Sequence, residues 1–275
     1  MASAGATIPV IRVSKVSQAA ACAGLFFPLL LLAQQTIPYN PSAQAPPAGR
    51  GRGRGPALTP KQAAPIDMTG YWVSIVTEDW KFRMVTPKKG NYSGVPLNAE
   101  GRKLADTWDP AKDEASGSQC RSYGAAGLMR VPGRLHITWD NDTTLKIETD
   151  AGTQTRLFHF GAKEAPASAE PSLQGFSIAE WEAATAGRGQ PREGNLKVVT
   201  THLAPGYLRR NGVPYSAATV LTEWYDRISD ASGEWLVVST EVRDPQYLSQ
   251  PFITSTHFKK QADAKGWMPE PCSAR

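Results

Sequence analysis

From Thr69 to Met84 the sequence reads Thr-Gly-Tyr-Trp-Val-Ser-Ile-Val-Thr-Glu-Asp-Trp-Lys-Phe-Arg-Met, and its even-numbered positions are mostly apolar while several odd ones are polar or charged. A repeat of two is the period of a half-buried β-strand, whose successive side chains point to opposite faces. The same alternation returns in Arg134–Trp139, Thr144–Thr149 and Gln154–Phe160, with turns at Asp140-Asn141-Asp142 and Asp150-Ala151-Gly152 between them. That spacing predicts a three-stranded antiparallel meander. Further strands are expected over Leu196–Leu203, Ala218–Arg227, Glu234–Val242 and Phe252–Lys259. With Tyr71–Thr86 read as one long strand or two short ones, the total is about eight, enough to close a small barrel and remove its exposed edges.

Two helical decorations are expected. Asn98 is a suitable N-cap for Ala99–Trp108, in which Leu104 and Trp108 lie four apart and which Asp109-Pro110 stops. Ser177 and Glu180 have the spacing of a capping box and predict one or two helical turns around Trp181, ending at Gly187.

The first 33 residues carry Arg12 and Lys15, then an apolar run from Ala19 to Leu32 and a small residue, Ala33. This is the pattern of a secretory signal peptide cleaved near Ala33 and predicts a periplasmic or extracellular protein. No segment reaches ~18 consecutive apolar residues, so no membrane-spanning helix is expected. Residues 34–65 are rich in Pro, Gly, Gln and Ala and are read as a disordered spacer, the Gly49–Gly55 Arg-Gly run included. The first 65 residues hold six of the 30 basic side chains and none of the 25 acids, so residues 66–275 carry 24 basic against 25 acidic groups. The formal charge of +5 therefore belongs to the leader and spacer, and nucleic acid is not an expected partner. Residues 66–275 are expected to form a single domain.

Removing the leader leaves two cysteines, Cys120 and Cys272, and an oxidising compartment favours their pairing. The long loop so closed would constrain the unfolded chain by up to about 5 kcal/mol in the chain-entropy account. The four histidines show no metal-ligand spacing: parity turns His136, His159 and His257 away from the apolar faces, and His202 is ambiguous. No Gly-x-Ser-x-Gly elbow, dinucleotide fingerprint or P-loop is present, so neither a metal nor another cofactor is expected.

Candidate chemistry comes from charges on apolar faces. Arg156 shares a face with Phe158 and Phe160, Glu78 with Trp72, Val76, Trp80 and Phe82, Glu223 with Leu221 and Tyr225, and Glu241 with Trp235 and Val237. An inward charge must be paired or neutralised. Three readings stay open at this point. The charges form a buried ion network; or Arg156 anchors the polar end of an amphipathic ligand whose body lies on Trp80, Phe82 and Tyr225; or Glu78 or Glu223 acts as an acid or base with its pKa raised by burial. The preferred set for a ligand is Glu78, Trp80, Phe82, Arg156, Glu223 and Tyr225, in an exported protein that binds a small amphipathic or hydrophobic molecule. A barrel hydrolase or isomerase, and a structural envelope protein with a filled barrel, are the alternatives.

Gly70-Tyr71-Trp72, a Gly-x-Trp at the entry strand, resembles the opening strand of lipocalin-like barrels. Cys120 with Tyr123-Gly124, Thr155-Arg156, the Trp181 segment, Leu196–Thr201, Tyr215-Ser216, Leu221–Trp224 and Asp244–Tyr247 running to Gln250-Pro251 together resemble a large group of secreted bacterial β-rich proteins of unknown function. Members commonly have His where this chain has Tyr215, and Glu-Arg before an aromatic where it has Glu223-Trp224-Tyr225. The resemblance implies a compartment and a β-rich, lipocalin-like barrel, and it carries no activity.

Overall fold

The computed structural model describes residues 57–183 and 193–274, so the leader, most of the spacer and the expected helix end at Gly187 lie outside the described residues. Nine strands close into a barrel: β1 (Gly70–Ile75), β2 (Arg134–Asn141), β3 (Thr144–Thr149), β4 (Thr155–Phe160), β5 (Phe176–Ala183), β6 (Gly194–Thr201), β9 (Val220–Asp230), β10 (Gly233–Arg243) and β11 (Phe252–Gln261). A separate two-stranded sheet pairs β7 (Gly206–Arg209) with β8 (Val213–Tyr215). Around the barrel the order is β1-β11-β10-β9-β6-β5-β4-β3-β2, with β2 returning to β1. Only β4 and β5 run parallel; every other neighbour is antiparallel.

The meander forms as its alternation predicts, and alternation also decides which side chains fill the barrel. Trp72, Leu135, Ile137, Leu145, Ile147, Phe158, Leu196, Val198, Tyr225, Leu236, Val238 and Phe258 pack into one buried cluster. A second cluster lies outside it, where Leu203, Leu208, Val213, Tyr215, Leu221, Val242 and Phe252 pack with Tyr92, Val95, Leu97 and Ala105. Ala105 closes the helix Ala99–Ala105 (α3), capped by Asn98, whose Oδ1 accepts from Gly101 N at 2.8 Å. Gly101 and Ala105 form its buried face, whereas Leu104, expected on that face, is exposed. A Cβ at Gly101 would stand 2.6 Å from the Tyr247 carbonyl, so the small residues are what let this helix approach so closely.

Three expectations are corrected. The first strand stops at Ile75. Asp79 takes a positive φ of 49°, which a pleated strand does not accommodate, and its carbonyl accepts from Phe82 N and Arg83 N to start a four-residue helix, Trp80–Arg83 (α2, counting Pro60–Ala63 as α1). Secondly, the Ser177–Trp181 segment is strand, not helix. Eight consecutive residues pair with β6, and Ser177 Oγ bonds Thr200 Oγ1 at 2.8 Å instead of capping a turn; the ladder overrides a weak local signal. Finally, Glu241 sits on the outer face of β10, since the inward residues are Leu236, Val238, Thr240 and Val242.

Part of the segment that composition assigns to the spacer is also ordered. α1 carries a complete capping box from Thr59 and Gln62, Lys61 N donates to Asp142 O, and Trp181 Nε1 donates to Pro60 O at 2.9 Å. Cys120 and Cys272 form a disulfide across 152 residues, Cα to Cα 5.0 Å, fixing the C-terminal tail to the 3-10 turn Gln119–Tyr123.

Candidate functional site

The structure divides the six residues selected from sequence between two places. Arg156, Glu223 and Tyr225 meet inside the barrel. Glu78 and Phe82 lie outside it, beyond the end of β1, and Trp80 is 61% exposed on α2 and belongs to neither group.

The interior group follows from strand order. β4 and β9 are brought to opposite sides of β5 and β6, and inward parity aims Arg156 and Glu223 at each other. Both side chains are fully buried. Arg156 Nη1 donates to Glu223 Oε1 at 3.0 Å and Nη2 to Oε2 at 2.6 Å, a two-pronged pair that matches the planar guanidinium to the planar carboxylate. Tyr225 donates its hydroxyl to Glu223 Oε1 at 3.2 Å, Nη2 reaches Thr200 Oγ1 at 3.3 Å, and the guanidinium lies 4.9 Å from the Phe158 ring centroid. Burial works against the Arg156 charge, but the attraction and hydrogen bonds of Glu223 outweigh it, so its pKa is raised. Burial, reinforced by Glu223, pushes the Tyr225 phenol well up and keeps it a neutral donor. This cluster is charge-balanced, and its carboxylate is engaged on both oxygens.

The other group is built differently. α2, the turn that follows the helix Ala125–Leu128 (α5, counting Pro110–Ala115 as α4), and the tip of the β7–β8 hairpin converge on a cavity of about 20 Å³, lined by Phe82, Arg83, Arg130, Leu208, Arg209 and Arg210 among others. The hairpin turns at Asn211-Gly212, with Gly212 at φ 78°. Asn211 fixes its approach by donating to the carbonyls of Lys88 and Asn91. Gly127 lets α5 lie against β7, since a Cβ there would stand 2.7 Å from Tyr207 O.

Four guanidiniums share this cleft with two carboxylates. Arg83 pairs with Glu78, donates its Nε to Arg130 O at 2.9 Å, and is buried. Arg130 donates Nη2 to Asp79 Oδ2 at 2.9 Å and is buried as well. Arg209, also buried, has no carboxylate partner: its Nη1 donates to Ser93 O at 2.7 Å and its guanidinium stacks 4.4 Å over Phe82. Arg130 Nη1, Arg209 Nε and Arg210 Nε are buried without a hydrogen-bond partner among the described residues. Burial lowers the pKa of Arg83 despite Glu78, and burial together with Arg130 brings Arg209 down to about 10. With four guanidiniums against two carboxylates, the cleft holds more positive than negative charge in a partly desolvated space. Such a place attracts an anion, and Phe82, Val131, Pro132 and Leu208 give it an apolar wall.

The sequence held one unused signal for this cleft. Arg209-Arg210 stands directly before Asn211-Gly212, a strong hairpin-turn dipeptide, which would have placed two arginines at a hairpin tip. Arg83 and Arg130 carry no comparable local mark.

Among the described residues no group of three or more His, Cys, Asp or Glu side chains is placed to hold a metal ion, and no helix is long and apolar enough to cross a membrane. No family model matches the chain, and neither a curated protein nor a solved structure is significantly similar to it.

Proposed function

We propose that this protein is an exported small-molecule-binding barrel, and that its ligand is amphipathic with an anionic group seated among Arg83, Arg130, Arg209 and Arg210. The observation that carries this reading is the charge imbalance of the cleft: among the described residues, three buried arginines and a fourth at its edge face only Glu78 and Asp79, and buried N–H groups are left over. Buried charge without a partner is costly, so a fold that keeps it has a use for it. Of the residues selected from sequence, Phe82 contributes the apolar wall and Glu78 holds Arg83 in place. Arg156, Glu223 and Tyr225 act as a brace inside the barrel. A catalytic role for Glu223 is disfavoured because Arg156 occupies both of its oxygens. Export accords with the disulfide, which persists in an oxidising compartment.

Native mass spectrometry of protein purified from its own compartment tests this reading. The expected result is a co-purifying anionic organic molecule, lost on Arg209→Met and retained on Glu241→Gln, a change on the outer face of the barrel. A neutral or cationic adduct, or an anionic one that survives Arg209→Met, would reject it.

A further inference from the structure

The arginine cleft already holds a carboxylate, and the manner of holding identifies what can take its place. Asp79 stands at the rim with its side chain 43% exposed, and meets Arg130 through a single contact, Nη2 to Oδ2 at 2.9 Å. Its backbone φ of 49° is left-handed, a region L-residues other than Asn and Asp rarely enter. Arg130 itself is buried, and its second terminal nitrogen, Nη1, has no partner among the described residues. Nη1 and Nη2 form the end of the guanidinium fork, which matches the two oxygens of one carboxylate; a single-oxygen contact leaves half of it unused. Glu78 is not available to fill it, since its Oε1 is on Arg83 and its Oε2 lies within reach of Thr77 and His257.

We infer that the ligand's anionic group is a carboxylate that displaces Asp79 from Arg130 and takes both prongs of the fork, so that Asp79 is a built-in competitor that sets the affinity of the site. This rests on the cleft being the binding site. A cavity of about 20 Å³ has room for about one water, so the group enters only as the Asp79 side chain swings outward, into solvent that already reaches it. A planar carboxylate needs little more than the space Asp79 vacates, whereas a tetrahedral phosphate needs more. The ligand's apolar body then lies along Phe82, Val131, Pro132 and Leu208.

Hexanoate, hexyl phosphate and 1-hexanol, titrated separately into the purified protein and its Asp79→Asn variant while the backbone amide shifts of Phe82, Arg130 and Arg209 are followed, test the inference. Hexanoate is expected to move these signals and 1-hexanol to leave them unchanged. Asp79→Asn should tighten hexanoate about two- to five-fold, the range that release of one half-exposed ion pair provides. Hexanoate binding to the unaltered protein with no tightening, or with weakening, in Asp79→Asn would overturn the competitor role. Hexyl phosphate binding more tightly than hexanoate would overturn the assignment of a carboxylate. If neither anion moves these signals in either protein, the cleft itself is not the binding site and the proposed function falls with it.

Discussion

Arg156 and Arg209 are the same residue type, both buried, and they sit in opposite electrostatic situations. Arg156 faces a carboxylate that receives two of its nitrogens, with Tyr225 and Thr200 also in reach, and its pKa is raised although its Nε has no hydrogen-bond partner among the described residues. Arg209 faces an aromatic ring, a carbonyl and another arginine, and burial with Arg130 outweighs the more distant Asp79 to bring its pKa down to about 10. Burial alone therefore does not set the electrostatic state of an arginine; the balance of charge around it does.

The largest expected effect breaks the balanced pair. Arg156→Met or Glu223→Gln alone should lower unfolding stability by about 3 to 5 kcal/mol, because the remaining charge is buried and unmatched. Arg156→Met combined with Glu223→Leu should recover a large part of the loss in denaturant unfolding, a coupling that near-additive losses would contradict.

The imbalanced arginine should respond with the opposite sign. Arg209→Met removes a buried cation that has no carboxylate, and should leave the fold unchanged or stabilise it by about 1 kcal/mol while anion binding disappears. A clear destabilisation without loss of binding would place Arg209 with Arg156 as a brace.

Alkaline titration sharpens the contrast. Burial, with Arg130 beside it, brings the pKa of folded Arg209 down to about 10, well below the ordinary arginine value that the unfolded chain keeps. The unfolded state thus binds more protons in that window, and the cost of burying Arg209 shrinks as pH rises through it. Hexanoate affinity should stay level to about pH 9 and fall above about pH 10, and the stability difference between the protein and Arg209→Met should narrow over the same range. Arg156, whose folded pKa lies above its unfolded one, keeps its contribution throughout that window. A stability difference that widens with pH would contradict the assignment.

The smallest effect comes from an ion pair that belongs to neither class. Lys197 bridges Glu180 at 2.9 Å and Glu182 at 3.6 Å on the outer face of β5 and β6. Hydrogen bonding to Glu180 raises its pKa, yet water screens the pair. Lys197→Ala should change unfolding stability by no more than about 0.5 kcal/mol, and a loss near that of Arg156→Met would mean that partner count, not burial, sets the scale.

The interior pair is legible in the sequence because a strand's parity is local information: once Phe158 and Phe160 are inward, Arg156 follows, and Leu221 and Tyr225 carry Glu223 with them. The cleft is not legible in that way. Asp79, Arg83, Arg130 and Arg209 come from a turn, a short helix, the segment after α5 and a hairpin tip, and no period links them. Trp80 and Phe82 read as strand because two aromatics two apart satisfy strand spacing, and nothing in the residue types announces the left-handed Asp79 that ends the alternation. β5 is hidden for the converse reason. A Ser and a Glu three apart imitate a helix start, and the partner strand that overrules them lies across a segment of the chain outside the described residues.

β1 is hydrogen-bonded on one side to β2 and on the other to β11, the last strand among the described residues. Until β11 is present, β1 and β10 both have open edges, and the disulfide has no second half. Arrival of β11 therefore permits closure: a ribosome that still holds this strand holds the barrel open with it. The fold keeps its own clock, set by the position of one strand.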